Sequence, residues 1–185
     1  MRPIVVYATF LAVGVAAAAA GPAGASSNLA RLLAPPGTCR YSDDAHASIA
    51  IQVKAMACLT RYARSADGLP ILRQSMELHH AVAMKLDADL RCHQLSHEPC
   101  GQPFATVYSD SGYLQGPYSV GENLAWGKGT FGTPREIMRA WLLSSPHREN
   151  LLSPAWREFG LAVRVGVRFD GRSDVAIWAA GFGRR

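Results

Sequence analysis

The sequence predicts an α+β domain in which helices cover a small antiparallel sheet. Three features predict it: helical apolar periodicity comes early, a long irregular stretch follows Cys92, and strict two-residue alternation around Asp170-Gly171 fills the C-terminal end. Helices first and a hairpin last is an α+β order, unlike the regular alternation of βαβ units.

Residues 1–25 carry one early charge at Arg2, an apolar run from Ile4 to Ala20 and an Ala23-Gly24-Ala25 ending, the pattern of a secretory signal peptide. The run is alanine-rich, meets Gly21-Pro22 and falls short of the roughly 20 strongly apolar residues of a membrane span. After its removal no transmembrane segment is expected, and the chain is expected outside the cytoplasm, secreted or associated with the envelope. No cysteine at the junction offers a lipid anchor. The remaining stretch of about 160 residues suits one core. A net charge of +5 is mildly basic, but no Lys/Arg run with interleaved aromatics marks a nucleic-acid partner. Cys39, Cys58, Cys92 and Cys100 allow three pairings in an oxidising compartment. The most local joins Cys92 to Cys100 and Cys39 to Cys58, worth about 2.5 and 3 kcal/mol from loop closure. A zinc cluster is the rival reading, but no Cys-x-x-Cys pair is present.

Residues 26–44, with Pro35-Pro36-Gly37, read as a tether leading into a domain at 45–185. Asp43 or Asp44 can cap a first helix near 45–65, whose Ile49, Val53, Met56, Ala57 and Leu59 keep a helical period until Gly68. Leu69 to Leu72 is a short apolar link. Ser75 then caps a second helix in which Leu78, Val82, Leu86 and Leu90 form a core stripe. His79 and His80 beside it point about 100° apart and do not share a metal. Cys92 to Ser119 is irregular, punctuated by Gly101, Pro103, Gly112, Gly116 and Pro117, and a loop of that length borders functional surface. Thr133-Pro134-Arg135-Glu136 is a capping box opening a third helix through Ile137, Ala140 and Trp141, ended by Ser145-Pro146. From Phe159 to Phe169 the alternation of Leu161, Val163, Val165, Val167 and Phe169 with Ala162, Arg164, Gly166 and Arg168 predicts a half-buried strand. Asp170-Gly171 turns it into a returning strand from Val175 through Trp178 toward Phe182.

Three separate segments set a titratable side chain beside backbone-fixing residues: Leu95-Ser96-His97, Gly121-Glu122-Asn123-Leu124-Ala125-Trp126-Gly127 and Ser144-Ser145-Pro146-His147-Arg148-Glu149-Asn150. Brought together, His97, Glu122 and His147 would offer two imidazoles and a carboxylate, a set suited to a divalent metal such as zinc with one open position. Each has a structural alternative: His97 bracing the loop between Cys92 and Cys100, Glu122 accepting backbone N–H bonds, His147 bonding a helix C-terminal carbonyl. A carboxylate so engaged is stabilised as an anion and is a poor base. Asn123 and Arg148 read as braces, and Trp126, Trp141, Trp156 and Trp178 as core or wall. No His-Glu-x-x-His helix or Gly-x-Ser-x-Gly elbow supplies a familiar hydrolase signature.

The order of these segments resembles bacterial members of the CAP superfamily (cysteine-rich secretory proteins, antigen 5, pathogenesis-related proteins; the SCP domain) over roughly residues 50–183. The matching pieces are Leu59 through Gly68-Leu69, Leu95-Ser96-His97, Gly121-Glu122-Asn123-Leu124-Ala125, Trp141 with His147 six positions on, Phe159-Gly160, and Trp178 with Gly181-Phe182-Gly183. The resemblance implies a three-layer α-β-α sandwich with a surface cleft, and carries the family's cavity residues onto His97, Glu122 and His147. Animal and plant relatives usually place a second acid where this chain has Ser144, and a second histidine on a late strand, where it has none. Three functions follow as expectations. The first is an extracellular binding module for a small hydrophobic ligand, such as a lipid, or for a protein, the reading that the missing nucleophile favours. The second is an envelope scaffold or signalling protein. The third is a metal-assisted hydrolase or peptidase using His97, Glu122 and His147, as proposed within the family.

Overall fold

The computed structural model describes residues 30–185, so the expected leader lies outside the described residues. In chain order the elements are α1 (Ile49–Ala66), β1 (Arg73–Gln74), α2 (Met76–Cys92), a 3-10 turn (Pro99–Gly101), α3 (Thr106–Asp110), β2 (Ser119–Lys128), a second 3-10 turn (Gly129–Gly132), α4 (Pro134–Leu143), α5 (Ser145–Leu151), β3 (Glu158–Phe169) and β4 (Arg172–Arg184). Four strands form one sheet in the order β1-β3-β4-β2. β2 and β3 flank β4 antiparallel, while the short β1 pairs parallel with β3, so the sheet is mixed rather than purely antiparallel.

Both faces of the sheet are covered. One packs Met56, Leu59 and Ala63 of α1 and Ile137, Met138 and Trp141 of α4 against Phe159, Leu161, Trp178, Ala180 and Phe182. The other packs Leu78, Val82 and Leu86 of α2, with Val107 and Tyr108 of α3, against Val120, Leu124, Ile177 and Ala179. Helices on both faces of a sheet give the three-layer sandwich.

The local signals act largely as expected, with physical exceptions. Ser75 caps α2 by accepting the Leu78 N–H at 3.2 Å, and Thr133 caps α4 through the Glu136 N–H at 3.5 Å. For α1 the cap is Ser48, not Asp43 or Asp44, because Asp44 turns its carboxylate onto the N–H groups of His46 and Ala47 just upstream. Pro146 does not merely end α4: it sits in the first turn of α5, where its missing N–H costs nothing. Of residues 26–44, expected as a tether, the described 30–44 pack on the domain, with Leu32, Ala34 and Cys39 buried in the α1 core.

Both disulfides join the most local partners, Cys39 to Cys58 and Cys92 to Cys100. The β3 alternation breaks at Gly166, where a register shift between Arg164 and Val167 leaves Val165 packed on the α1 side and turns Phe169 to the α2 side. Asp170 and Gly171 both adopt positive φ, as the tight hairpin requires.

One glycine row sets the depth of α2. A Cβ on Gly160 would lie 2.2 Å from the His79 nitrogen, and one on Gly181 2.8 Å from Val82. Gly160 pairs with Gly181, and Gly181 pairs with Glu122. The row that admits the helix backbone therefore ends on the carboxylate of the outer strand.

Candidate functional site

Strand β2 carries the site. Its Gly121-to-Gly127 segment is an extended outer strand, with Glu122, Leu124 and Trp126 on the α2 side. The Glu122 side chain is fully buried, and both its oxygens accept hydrogen bonds: Oε1 from His97 Nδ1 at 2.6 Å and Oε2 from the Tyr108 hydroxyl at 2.9 Å. A carboxylate is acceptor-only, so Nδ1 of His97 carries the proton and Nε2 is the basic nitrogen. Burial, then the Glu122 charge, raises the Tyr108 hydroxyl well above its ordinary range, which keeps it a donor.

His97 reaches Glu122 from the loop after α2, closed at its base by Cys92–Cys100. Its side chain is 12% exposed and meets the Phe104 ring edge-on at 5.9 Å. Lys85 donates to the His97 carbonyl, and Asp89 accepts the Ser96 N–H at 3.0 Å. Burial, then Glu122, pushes Asp89 up to about 7 against the opposing pull of the Ser96 N–H and Lys85.

His147 arrives on α5 across the outer strand. Asn123 donates to its carbonyl at 2.9 Å and accepts from Asn150 at 3.0 Å, while Trp156 donates to the Asn150 carbonyl at 2.8 Å. Within the first turn, Nδ1 of His147 pairs with Ser144 Oγ at 2.8 Å. Burial, reinforced by His97, pushes His147 down to about 4, so it is neutral at pH 7.

The structure thus joins His97 directly to Glu122, while His147 is held on α5 by its own braces. Glu122 accepts from two side chains rather than from backbone N–H groups, and His147 is fixed through its own carbonyl and Ser144. Asn123 braces as expected, and Arg148 donates to the Leu142 carbonyl at the end of α4. Lys85, Asp89 and Tyr108 were not singled out by sequence.

The donor set fits a divalent ion poorly, because both Glu122 oxygens already accept hydrogen bonds from His97 and Tyr108, which makes the carboxylate an orienter of His97 rather than a ligand; two imidazoles alone fall short of the three protein ligands of a catalytic zinc site. Among the described residues no three His, Cys, Asp or Glu side chains are grouped to hold a metal.

Fold and site together define an α-β-α sandwich carrying a carboxylate–imidazole pair on an outer strand. The chain belongs to the cysteine-rich secretory protein family, CAP, whose sequence profile matches residues 59–174. Solved structures share the fold at low identity. An extracellular SCP-domain protein from Bacillus anthracis is 19% identical with a TM-score of 0.59, over 72% of this chain and 40% of its own. An outer surface protein from Borrelia burgdorferi is 16% identical with a TM-score of 0.62, over 75% of this chain and 96% of its own. A cysteine-rich secretory protein from Staphylococcus aureus is 16% identical with a TM-score of 0.54, over 76% of this chain and 41% of its own. The match therefore spans well under half the length of the Bacillus and Staphylococcus proteins. No curated protein matches the chain. Among the described residues no helix is long and apolar enough to cross a membrane.

Proposed function

We propose that this chain acts outside the cytoplasm as a binding module for a small ligand with a polar head and an apolar body, a lipid being the representative case. The observation that carries this reading is the double engagement of Glu122 by His97 and Tyr108. With both oxygens occupied, the carboxylate orients an imidazole instead of meeting a substrate proton itself, so the group favours recognition over proton abstraction. His97, aimed by that carboxylate, presents its imidazole as the polar group for a hydroxyl or carbonyl head. Half-buried Leu90, Leu95 and Trp126, on the same side of the sheet as Glu122, supply apolar surface for the body. The extracellular location is supported by the leader-like residues 1–25 and by the Bacillus and Borrelia neighbours, described as extracellular and outer surface proteins.

The test is mass spectrometry of organic extracts from the purified mature protein, followed by titration with a lipid panel. Retention or saturable binding that weakens in His97→Ala and Trp126→Ala supports the reading. A protein that retains no lipid and binds none sinks it.

One observation favours a second reading. A carboxylate holding Nδ1–H of a histidine is also how a general base is oriented, so His97 could deprotonate a water with Glu122 as its orienter in a hydrolase. Glu122→Gln would then lower turnover by about 10²–10⁴; equal cleavage by parent and variant would remove the idea.

A further inference from the structure

We propose that Lys85 and Asp89 are positioning residues that clamp the backbone at Ser96 and His97 and so set the His97 imidazole on Glu122; the assignment rests on the reading of His97 as the ligand-recognising group. The two residues stand four apart on α2, hence on one face one turn apart. Both are 0% exposed. From that face Lys85 donates to the His97 carbonyl, and Asp89 Oδ1 accepts the Ser96 N–H at 3.0 Å. One donor and one acceptor on successive residues fix where the loop lies and which way its peptides point.

Burial of an ammonium and a carboxylate needs a reason, because an apolar pair at the same positions would pack a helix without the desolvation cost. Val82 and Leu86 already do that work. The polar pair serves the loop instead. Among the described residues the bond to Ser96 is the only hydrogen bond of the Asp89 carboxylate, whose buried Oδ2 meets no partner there. Lys85 also stands 5.7 Å over the ring of Phe104, the residue whose ring borders His97. The disulfide cannot replace this clamp: Cys92 and Cys100 restrain the ends of the loop, and Cys100 lies at the surface.

The test is read on the imidazole itself. In the oxidised, ¹⁵N-labelled full chain, long-range proton–nitrogen spectra should show His97 as the Nδ1–H tautomer, with a far-downfield, slowly exchanging proton. Lys85→Met and Asp89→Ala should each speed its exchange by about tenfold, the effect of losing one hydrogen bond. Asp89→Asn keeps an oxygen for the Ser96 N–H and should restore the parental signal. An unchanged His97 proton in folded Lys85→Met and Asp89→Ala would overturn the assignment, as would an Asp89→Asn as damaged as Asp89→Ala. If the variants do not fold, amide exchange in the parent decides: a protected Ser96 N–H supports the clamp, and exchange at the unstructured rate overturns it. None of these readouts needs a ligand. A negative lipid panel with the expected His97 signals would remove the binding reading and leave the clamp standing.

Discussion

Acidification should act on two buried groups of this site in opposite directions, and single substitutions should unmask each. His147 falls from 6.5 to about 4, so between those values the unfolded chain binds the proton that the folded chain refuses. Its contribution is present above pH 6.5 and is lost as pH falls toward 4. Asp89 rises from 3.8 to about 7, so between those values the folded chain holds the proton that the unfolded chain releases. Its contribution is present below pH 3.8 and is lost as pH rises through 7. With each pH unit of separation worth 1.36 kcal/mol, the two amount to on the order of 3 and 4 kcal/mol. In the parent they largely cancel between pH 4 and 6.5. Urea denaturation from pH 4 to 8 should show the parent's advantage over His147→Asn growing by about 3 kcal/mol from pH 4 to 6.5. Its advantage over Asp89→Asn should shrink by about 4 kcal/mol from pH 4 to 7, and the double variant should run nearly parallel to the parent from pH 4 to 6.5. A difference independent of pH for either single variant would refute the burial argument for that residue.

Three further outcomes follow from the packing. Gly160→Ala places a methyl against the α2 backbone at His79 and should cost about 3 kcal/mol by urea denaturation; a neutral substitution would show that α2 can lift off the sheet. Replacing Cys92 and Cys100 by alanine should cost about 2.5 kcal/mol and replacing Cys39 and Cys58 about 3 kcal/mol, read from denaturation midpoints at constant m; no loss in either pair would contradict the loop-closure account. Tyr108→Phe leaves Glu122 Oε2 without its donor and should cost about 1–3 kcal/mol; a variant as stable as the parent would mean that this oxygen finds another donor.

What the sequence discloses divides along the range of the forces involved. The caps at Ser75 and Thr133, the stripe at Leu78, Val82 and Leu86, and the Asp170-Gly171 turn depend on neighbours within one or two turns of chain, so they are legible. Strand β2 is not, because it buries polar residues on both faces: Glu122 toward His97 and Tyr108, Asn123 toward the His147 carbonyl. Alternation of apolar with polar residues cannot appear where each polar residue is itself inside, answered by a distant segment. β1, two residues long, has no period to detect. Gly166 conceals its bulge because a one-residue register shift leaves the composition of β3 intact.

The site follows the same rule. His97, Glu122 and His147 stand out through the motifs around them, while the residues that hold them in place look like ordinary helix polarity. Yet one signal was present. Leu78, Val82, Lys85 and Asp89 fall at successive steps of four, three and four, so the two charges occupy positions of the buried stripe, not of the solvated face. A charge in a core register must either be neutralised or meet a partner from elsewhere in the chain. Here the partners are peptide groups of the loop that follows the same helix, and the nearest titratable residue on that loop is His97. Charged residues at core-periodic positions immediately before an irregular, disulfide-closed segment are therefore a readable sign that the segment is held from beneath, and that its exposed side chains are being aimed.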